Sequence, residues 1–458
     1  MTLVHRWSGR ETRALRMALR LSLVDFAERL GVGQRTVSKW EAGGSRMHPR
    51  PEMQAAIDTL LGRASDDERA RFDSTRQSPT DANDTPASNK HLATEQSPDD
   101  LSVLFGDEWN HDTTKALADF LADDRELSAA AAQRLAHEWR VVEPPQVTAM
   151  RAGRRVGKRL AEATIERAAI LRRMDDFLGG VDMHGLVRRE LQVTLALVRG
   201  ASYTGVIGRS LLAAVGELAQ LAGWVASDAG LHTQAERYYL GGVSAAHAAG
   251  DEPLAANLLS SLSYQMANVG DPREAVLLAS SAYHGAEDGA TATTRAMLLE
   301  RLAWANARFG DPEATARSLD AVDDAFAASS PADDPPWTYW LNRDEIDVMA
   351  GRCYTELRRP GSAIPLLTRA IDRYDDAHAR ELALYLSWLA EAQVYAGNIE
   401  EAAVDAGRAL RLSVHVTSAR SLERLRFVRR LLVPYHGTAA VDEFTEEAAR
   451  LDQAPGCD

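Results

Sequence analysis

Residues 21–41 read Leu21-Ser-Leu-Val-Asp-Phe-Ala-Glu-Arg-Leu-Gly-Val-Gly-Gln-Arg-Thr-Val-Ser-Lys-Trp-Glu41, and their spacing decides the fold of the N-terminal region. Ser22 is placed to cap a helix running from Leu23 to Leu30, with Phe26, Ala27 and Leu30 on one face. Ala27 is small where two helices cross. Gly31 stands where the chain turns sharply, a position that favours positive φ. A second helix starts near Gln34 and turns Val37 and Trp40 inward. That leaves Gln34, Arg35, Thr36, Ser38 and Lys39 outward. Gln and Arg suit paired hydrogen bonds to adenine and guanine edges, while Ser, Thr and Lys reach phosphates or bases.

Working outward, an earlier helix over Gly9 to Leu19 supplies Leu15, Ala18 and Leu19 to the same small core. A later one over Glu52 to Leu61 closes it, after a loop holding His48, Pro49 and Pro51. Residues 1–50 carry ten Lys or Arg against four acids, a local charge of +6 within a chain of −14, so the remainder stands at −20. A basic head on an acidic body can face phosphates while the body is repelled from them.

The segment 8–62 resembles the XRE family of repressor-type helix-turn-helix domains. The likeness rests on the Ala27, Gly31, Val37 spacing, the Leu21-Ser22 start, and Trp40-Glu41-x-Gly43 after the second helix. It implies double-stranded DNA as partner, with Gln34, Arg35 and Thr36 as base readers and Lys39 deeper along the helix. One position departs from the family: Leu23 stands where a backbone-contacting Gln is common. Phosphate contacts are therefore expected from Arg20, Arg46 or Arg50.

The 458 residues exceed one ordinary core. The expected organisation is a helix-turn-helix domain over 1–71, then a disordered linker over 72–100, poor in apolar and rich in Ser, Thr, Asp, Asn and Pro residues. A helical segment follows over 101–204, serving dimerisation or capping; a repeat domain covers 205–452 and a tail 453–458. The fold class is all-α, a small helix-turn-helix bundle joined to a helical-hairpin solenoid.

The repeat is read from turns at Gly230, Gly270, Gly310, Arg358 and Gly397, spaced 40, 40, 48 and 39 residues. Seven residues earlier stand the small residues Gly223, Ser263, Ala303, Gly351 and Ala390. Five residues later come Ala235, Ala275, Thr315, Ala363 and Ala402. Small residues at these two places let paired helices approach closely. The phasing, with Gly270-Asp271-x-x-x-Ala275 and Gly397-Asn398-x-x-x-Ala402, resembles tetratricopeptide hairpins, although the period exceeds the 34 residues of that unit.

That resemblance implies a concave groove lined by the first helix of each hairpin. Its positions are Trp224, Tyr264, Trp304, Arg352 and Glu391, with Gln220, Asp228, Asn257, Asn268, Glu300, Arg308 and Tyr395 nearby. Two readings fit the aromatics: a surface for a peptide or small-molecule effector, or packing between repeats. The function expected is an effector-responsive DNA-binding regulator acting as a homodimer in the cytoplasm, on the nucleoid. The alternative is a DNA-localised scaffold recruiting a protein partner.

No phosphate loop, His-Glu-x-x-His or Gly-x-Ser-x-Gly occurs, and Cys353 and Cys457 fit no metal or disulfide pattern. Neither catalysis, metal nor cofactor is expected, and no membrane partner. The most apolar stretch, Leu211 to Ala226, is broken by Glu217 and Gln220 and reads as a buried helix.

Overall fold

A computed structural model describes residues 6–77, 101–151, 153–178, 180–374, 378–413 and 419–452. The protein is all-α: a small helix-turn-helix bundle is followed by an array of helical hairpins. The chain divides into two compact units, one of residues 1–109 with 127–146 and one of residues 110–126 with 147–458.

The first unit opens with α1 (Gly9–Ala18), α2 (Leu23–Arg29) and α3 (Gln34–Gly43), followed by α4 (Pro51–Arg63) and α5 (Asp66–Gln77). Its core is built on Trp7, Leu15, Phe26, Leu30, Val37, Ile57 and Phe72, all fully buried. Trp7 donates its indole N–H to Asp58 at 2.6 Å and packs on Phe72 with ring centres 5.7 Å apart. Gly9 lets α1 touch α3: a Cβ there would lie 1.7 Å from the Trp40 carbonyl oxygen. Of the stretch expected as a linker, residues 72–77 continue α5, and residues 78–100 lie outside the described residues, as does the expected tail from 453.

The second unit begins with α6 (His111–Ala122), whereas α7 (Ala129–Glu138) returns to the first. The expected segment 101–204 thus contributes to both. On α7 the fully buried Glu138 takes ion pairs from Arg134 of its own helix and Arg63 of α4. Just beyond it, Val141 and Val142 join the core of the N-terminal bundle.

In the second unit α8 (Lys158–Asp175) and α9 (Gly180–Gly200) lead into five helix pairs and two closing helices. These are α10 (Gly205–Asp228) with α11 (His232–Ala249), α12 (Glu252–Val269) with α13 (Pro272–Ala286), and α14 (Ala292–Phe309) with α15 (Pro312–Ala327). Then come α16 (Arg343–Glu356) with α17 (Pro360–Ile371) and α18 (Ala379–Ala396) with α19 (Ile399–Ser413); α20 (Ala419–Leu432) closes the array on α18 and α21 (Ala439–Asp452) on α19. Asp271-Pro272 and Asp311-Pro312 start second helices, the Asp capping and the Pro fixing the first turn. Gly230, Gly310, Gly397 and Arg358 end first helices in the left-handed region, while Gly270 ends α12 at φ −118°.

The small residues lie buried where paired helices come close. Ala235, Ala275, Thr315, Ala363 and Ala402 are all fully buried, and the Ser263 hydroxyl donates to the Ala275 carbonyl at 2.7 Å. A Cβ at Gly223 would strike the ring of Tyr239, and one at Gly351 would strike Leu367. Among the described residues α10 alone is long and apolar enough to cross a membrane; it packs between α8, α9, α11 and α12 as a core helix.

Candidate functional site

Two places in the molecule gather functional side chains. The first is the outer face of α3. Ser22 and Asp25 cap α2 reciprocally, each side chain bonded to the other's backbone N–H at 3.1 and 3.3 Å. The chain then turns at Gly31, φ +62°, and α3 begins after Gly33, which offers no side-chain cap. The first N–H groups of α3 thus lack a capping side chain, and an anion is favoured there by the helix dipole.

Val37 and Trp40 anchor α3 in the core, and Gln34, Arg35, Thr36, Ser38 and Lys39 are exposed beside one another. Arg16 on α1 grips Glu41 on α3 with two hydrogen bonds of 2.7 and 2.9 Å and donates a third to the Leu21 carbonyl at 3.0 Å. One guanidinium therefore fixes α3 against both α1 and the start of α2. Burial lowers the Arg16 pKa and Glu41 raises it; the Glu41 hydrogen bond dominates and the net shift is upward. Arg20, at φ +57°, and Arg46 and Arg50 are also exposed, whereas Leu23 is half-buried against the core.

Sequence reasoning missed the support beneath the turn. Arg140, after α7, donates to the Leu30 carbonyl at 3.2 Å, and its guanidinium lies against Gly31. Burial lowers its pKa to about 10. Nothing local links positions 30 and 140, so only the tertiary fold could reveal this contact. The Trp7 anchor did carry a signal, because Ser8-x-x-Glu11 beside it is a capping-box pattern, and that box is formed.

The second place is a cavity of about 520 Å³ on the inner side of the hairpin array. First helices line it: Gln220 and Trp224 from α10, Asn257 and Tyr264 from α12, Glu300 and Arg301 from α14, Arg352 from α16 and Tyr385 from α18. Arg172 and Asp176 reach it from the end of α8, and Trp337, Tyr339 and Trp340 from the segment before α16.

Residues 9–72 match a family described as a helix-turn-helix domain. The match covers α1 to most of α5 and includes the whole exposed face of α3. It supports a DNA-binding regulator. No curated protein matches the chain.

Of the ten groove residues expected from the sequence, six line the cavity: Gln220, Trp224, Asn257, Tyr264, Glu300 and Arg352. The other four hold the array together. Trp304 is fully buried, edge-on to Trp388 at 5.4 Å, with its indole N–H donated to Asn268 at 3.3 Å. Arg308 donates to the Ala267 carbonyl and pairs with Glu356, each at 2.8 Å. Tyr395 donates to Glu391 at 2.5 Å. Asp228, also near the groove in the sequence reading, accepts from the Gly180 N–H at 3.3 Å.

One group of the residues missed in the cavity carried a signal in the sequence. The segment 328–342 is what lengthens the third hinge interval to 48 residues, and its Trp337-Thr-Tyr-Trp340 cluster folds onto the site. Three aromatics in four residues inside the longest interval were the available signal.

Charge within the cavity is largely, not wholly, paired. Arg172 meets Glu217 at 3.1 Å, Arg373 meets Asp344 at 2.5 Å, and Tyr339 donates to Asp176 at 2.7 Å. Glu345 accepts from Tyr374 and Tyr385. Glu300 is different: burial raises its pKa to about 7, against the pull of Arg301 and Arg352 and with the push of Glu345.

Proposed function

We propose that this protein is a sequence-specific, DNA-binding transcriptional regulator of the XRE type whose tetratricopeptide-like array takes a small effector. In this reading α3 lies in the major groove. Gln34, Arg35 and Thr36 meet base edges, Ser38 and Lys39 continue the contact, and Arg20, Arg46 and Arg50 hold phosphates. The carrying observation is the row of exposed polar side chains on α3, on a helix locked from behind by Val37, Trp40 and the Arg16–Glu41 pair. The helix-turn-helix match over 9–72 supports the same reading.

A head this small reads one half-site, so the active species is a homodimer whose half-sites lie about 34–36 Å apart or a multiple of it. The protein works where the chromosome is, in the cytoplasm, and performs no catalysis. The cavity's volume of about 520 Å³ falls among small-ligand sites, which favours a small effector over a scaffold for a large partner. Effector binding alters operator affinity only if the two arrangements of the heads bind the effector unequally.

The experiment is selection of an operator by the full chain, then binding by Gln34→Ala and Arg35→Ala variants. Each lost base contact should cost about 1–3 kcal/mol of discrimination. An unchanged sequence preference in both variants overturns the assignment of α3.

A further inference from the structure

The cavity holds buried polar groups that the folded chain leaves unused. Glu300 Oε2 and Arg352 Nε are both enclosed and make no hydrogen bond among the described residues. Glu300 is 2% exposed, Arg352 6% and Arg301 8%. Arg301 forms no ion pair among the described residues; its guanidinium instead stacks over Tyr264 at 4.5 Å and Trp340 at 5.4 Å. Arg352 keeps one hydrogen bond, to the Tyr264 hydroxyl at 2.8 Å. Buried polar atoms without hydrogen bonds are costly, so Glu300 Oε2 and Arg352 Nε, with the Arg301 guanidinium near Glu300, point to a ligand that completes them.

Resting on the effector-site reading, we propose that the cavity receives a free α-amino acid head group carried on a large apolar or aromatic body. The ligand's ammonium donates to Glu300 Oε2, and its carboxylate accepts from Arg352 and Arg301. Guanidinium forks match a carboxylate's two oxygens, and a carboxylate matches an ammonium. Both guanidinium carbons lie over the single ring of Tyr264, 5.4 and 4.5 Å from its centre, and both guanidiniums act electrostatically on the Glu300 carboxyl. The complementary charges must then be close together, as on one carbon atom. The termini of an extended peptide separate by about 3.4 Å per residue, which fits this cluster less well as the peptide lengthens. Trp224, stacked on Tyr264 at 5.9 Å, and Trp337 and Trp340 supply flat apolar walls for the rest of the molecule.

The test uses calorimetric titration of the full chain near neutral pH. The amino-acid probes are L-tryptophan, L-phenylalanine and L-leucine; tryptamine lacks the carboxylate and indole-3-propionate lacks the ammonium. At least one amino acid should bind, and where tryptophan binds it should do so about tenfold or more tighter than either truncated probe. Glu300→Gln, close in shape to the native side chain, should weaken the amino acid and tryptamine but spare indole-3-propionate. Arg352→Gln should weaken the amino acid and indole-3-propionate but spare tryptamine. Failure of all three amino acids to bind, or equal losses for every probe in both variants, overturns the head-group assignment.

Failure of the head-group assignment is distinguishable from failure of the regulator reading. A compound lacking both charges that shifts operator affinity in the wild type but not in Trp224→Ala would overturn the head-group assignment and leave the effector site standing. Loss of the regulator reading would show instead in the α3 variants.

Discussion

Arg16 and Glu41 meet in parallel, Nε to Oε1 at 2.7 Å and Nη2 to Oε2 at 2.9 Å, with both side chains largely shielded from water. This pair sets the angle at which α3 leaves the bundle. Removing one partner strands the other's charge, so Arg16→Met or Glu41→Gln should each destabilise the N-terminal bundle by about 2–3 kcal/mol. The double variant should cost less than the two losses added. Urea unfolding of all three variants measures it; strict additivity would show the pair to be energetically idle.

Gly31 and Arg140 form a second coupled pair. Gly31→Ala places a side chain at φ +62° and 2.9 Å from Arg140 Nη2. The backbone conformation alone costs about 1–2 kcal/mol, and the clash adds to it. In an Arg140→Ala background the penalty should fall towards the backbone share, as denaturant midpoints will report.

Phosphate contacts and base contacts should separate by salt. Arg46→Ala and Arg50→Ala should weaken binding similarly for all duplex sequences and each reduce the slope of log K against log salt by about 0.9. Gln34→Ala should leave that slope unchanged. Titrations by anisotropy at several salt concentrations distinguish the two classes.

Glu300 gives the stability a pH dependence. Its pKa of about 7 in the folded chain exceeds the 4.5 of the free side chain. The folded state therefore binds the proton more tightly, and the stabilisation is full below the ordinary carboxyl pKa and lost as pH rises through about 7. The upper bound is about 3 kcal/mol. Arg301, Arg352 and Glu345 face this group, and Glu236, also raised to about 7, titrates in the same window. The informative quantity is thus the difference between wild type and Glu300→Gln, whose stability should decline less between mildly acid and neutral pH.

Trp304 and Trp340 should behave oppositely. Trp304 is fully enclosed against Trp388, so Trp304→Ala should cost about 3–5 kcal/mol. Trp340 lines the cavity and is half-buried, so Trp340→Ala should cost far less and act on ligand affinity instead. Thermal unfolding with and without a bound probe separates the effects.

The head was legible because its determinants are local: Ser22, Gly31, Val37 and Trp40 fall within one short stretch, and helix periodicity placed the outward face of α3 correctly. The hairpins were legible for a similar reason, since small residues recur at fixed distances from each turn. Arg358, the one non-glycine among the hinges read from the spacing, adopts φ +58°, and its guanidinium lies 3.6 Å over the ring of Tyr395. The cavity was half legible. Its positions on α10, α12, α14 and α16 follow the repeat, but Arg172 and Trp340 arrive from outside the repeat's register. The register also drew in Trp304, one residue after a small position as Trp224 is, because spacing alone does not distinguish an inward face from an inter-helix seam.

The return of α7 to the N-terminal bundle has a consequence for how the head is retained. A protease cutting the backbone between residues 77 and 101 would sever the peptide thread that follows α5. It would leave untouched the clasp formed by Arg63 with Glu138, by Arg140 with the Leu30 carbonyl, and by Val141 in the core. The nicked protein should elute as one species under native conditions and come apart only in denaturant.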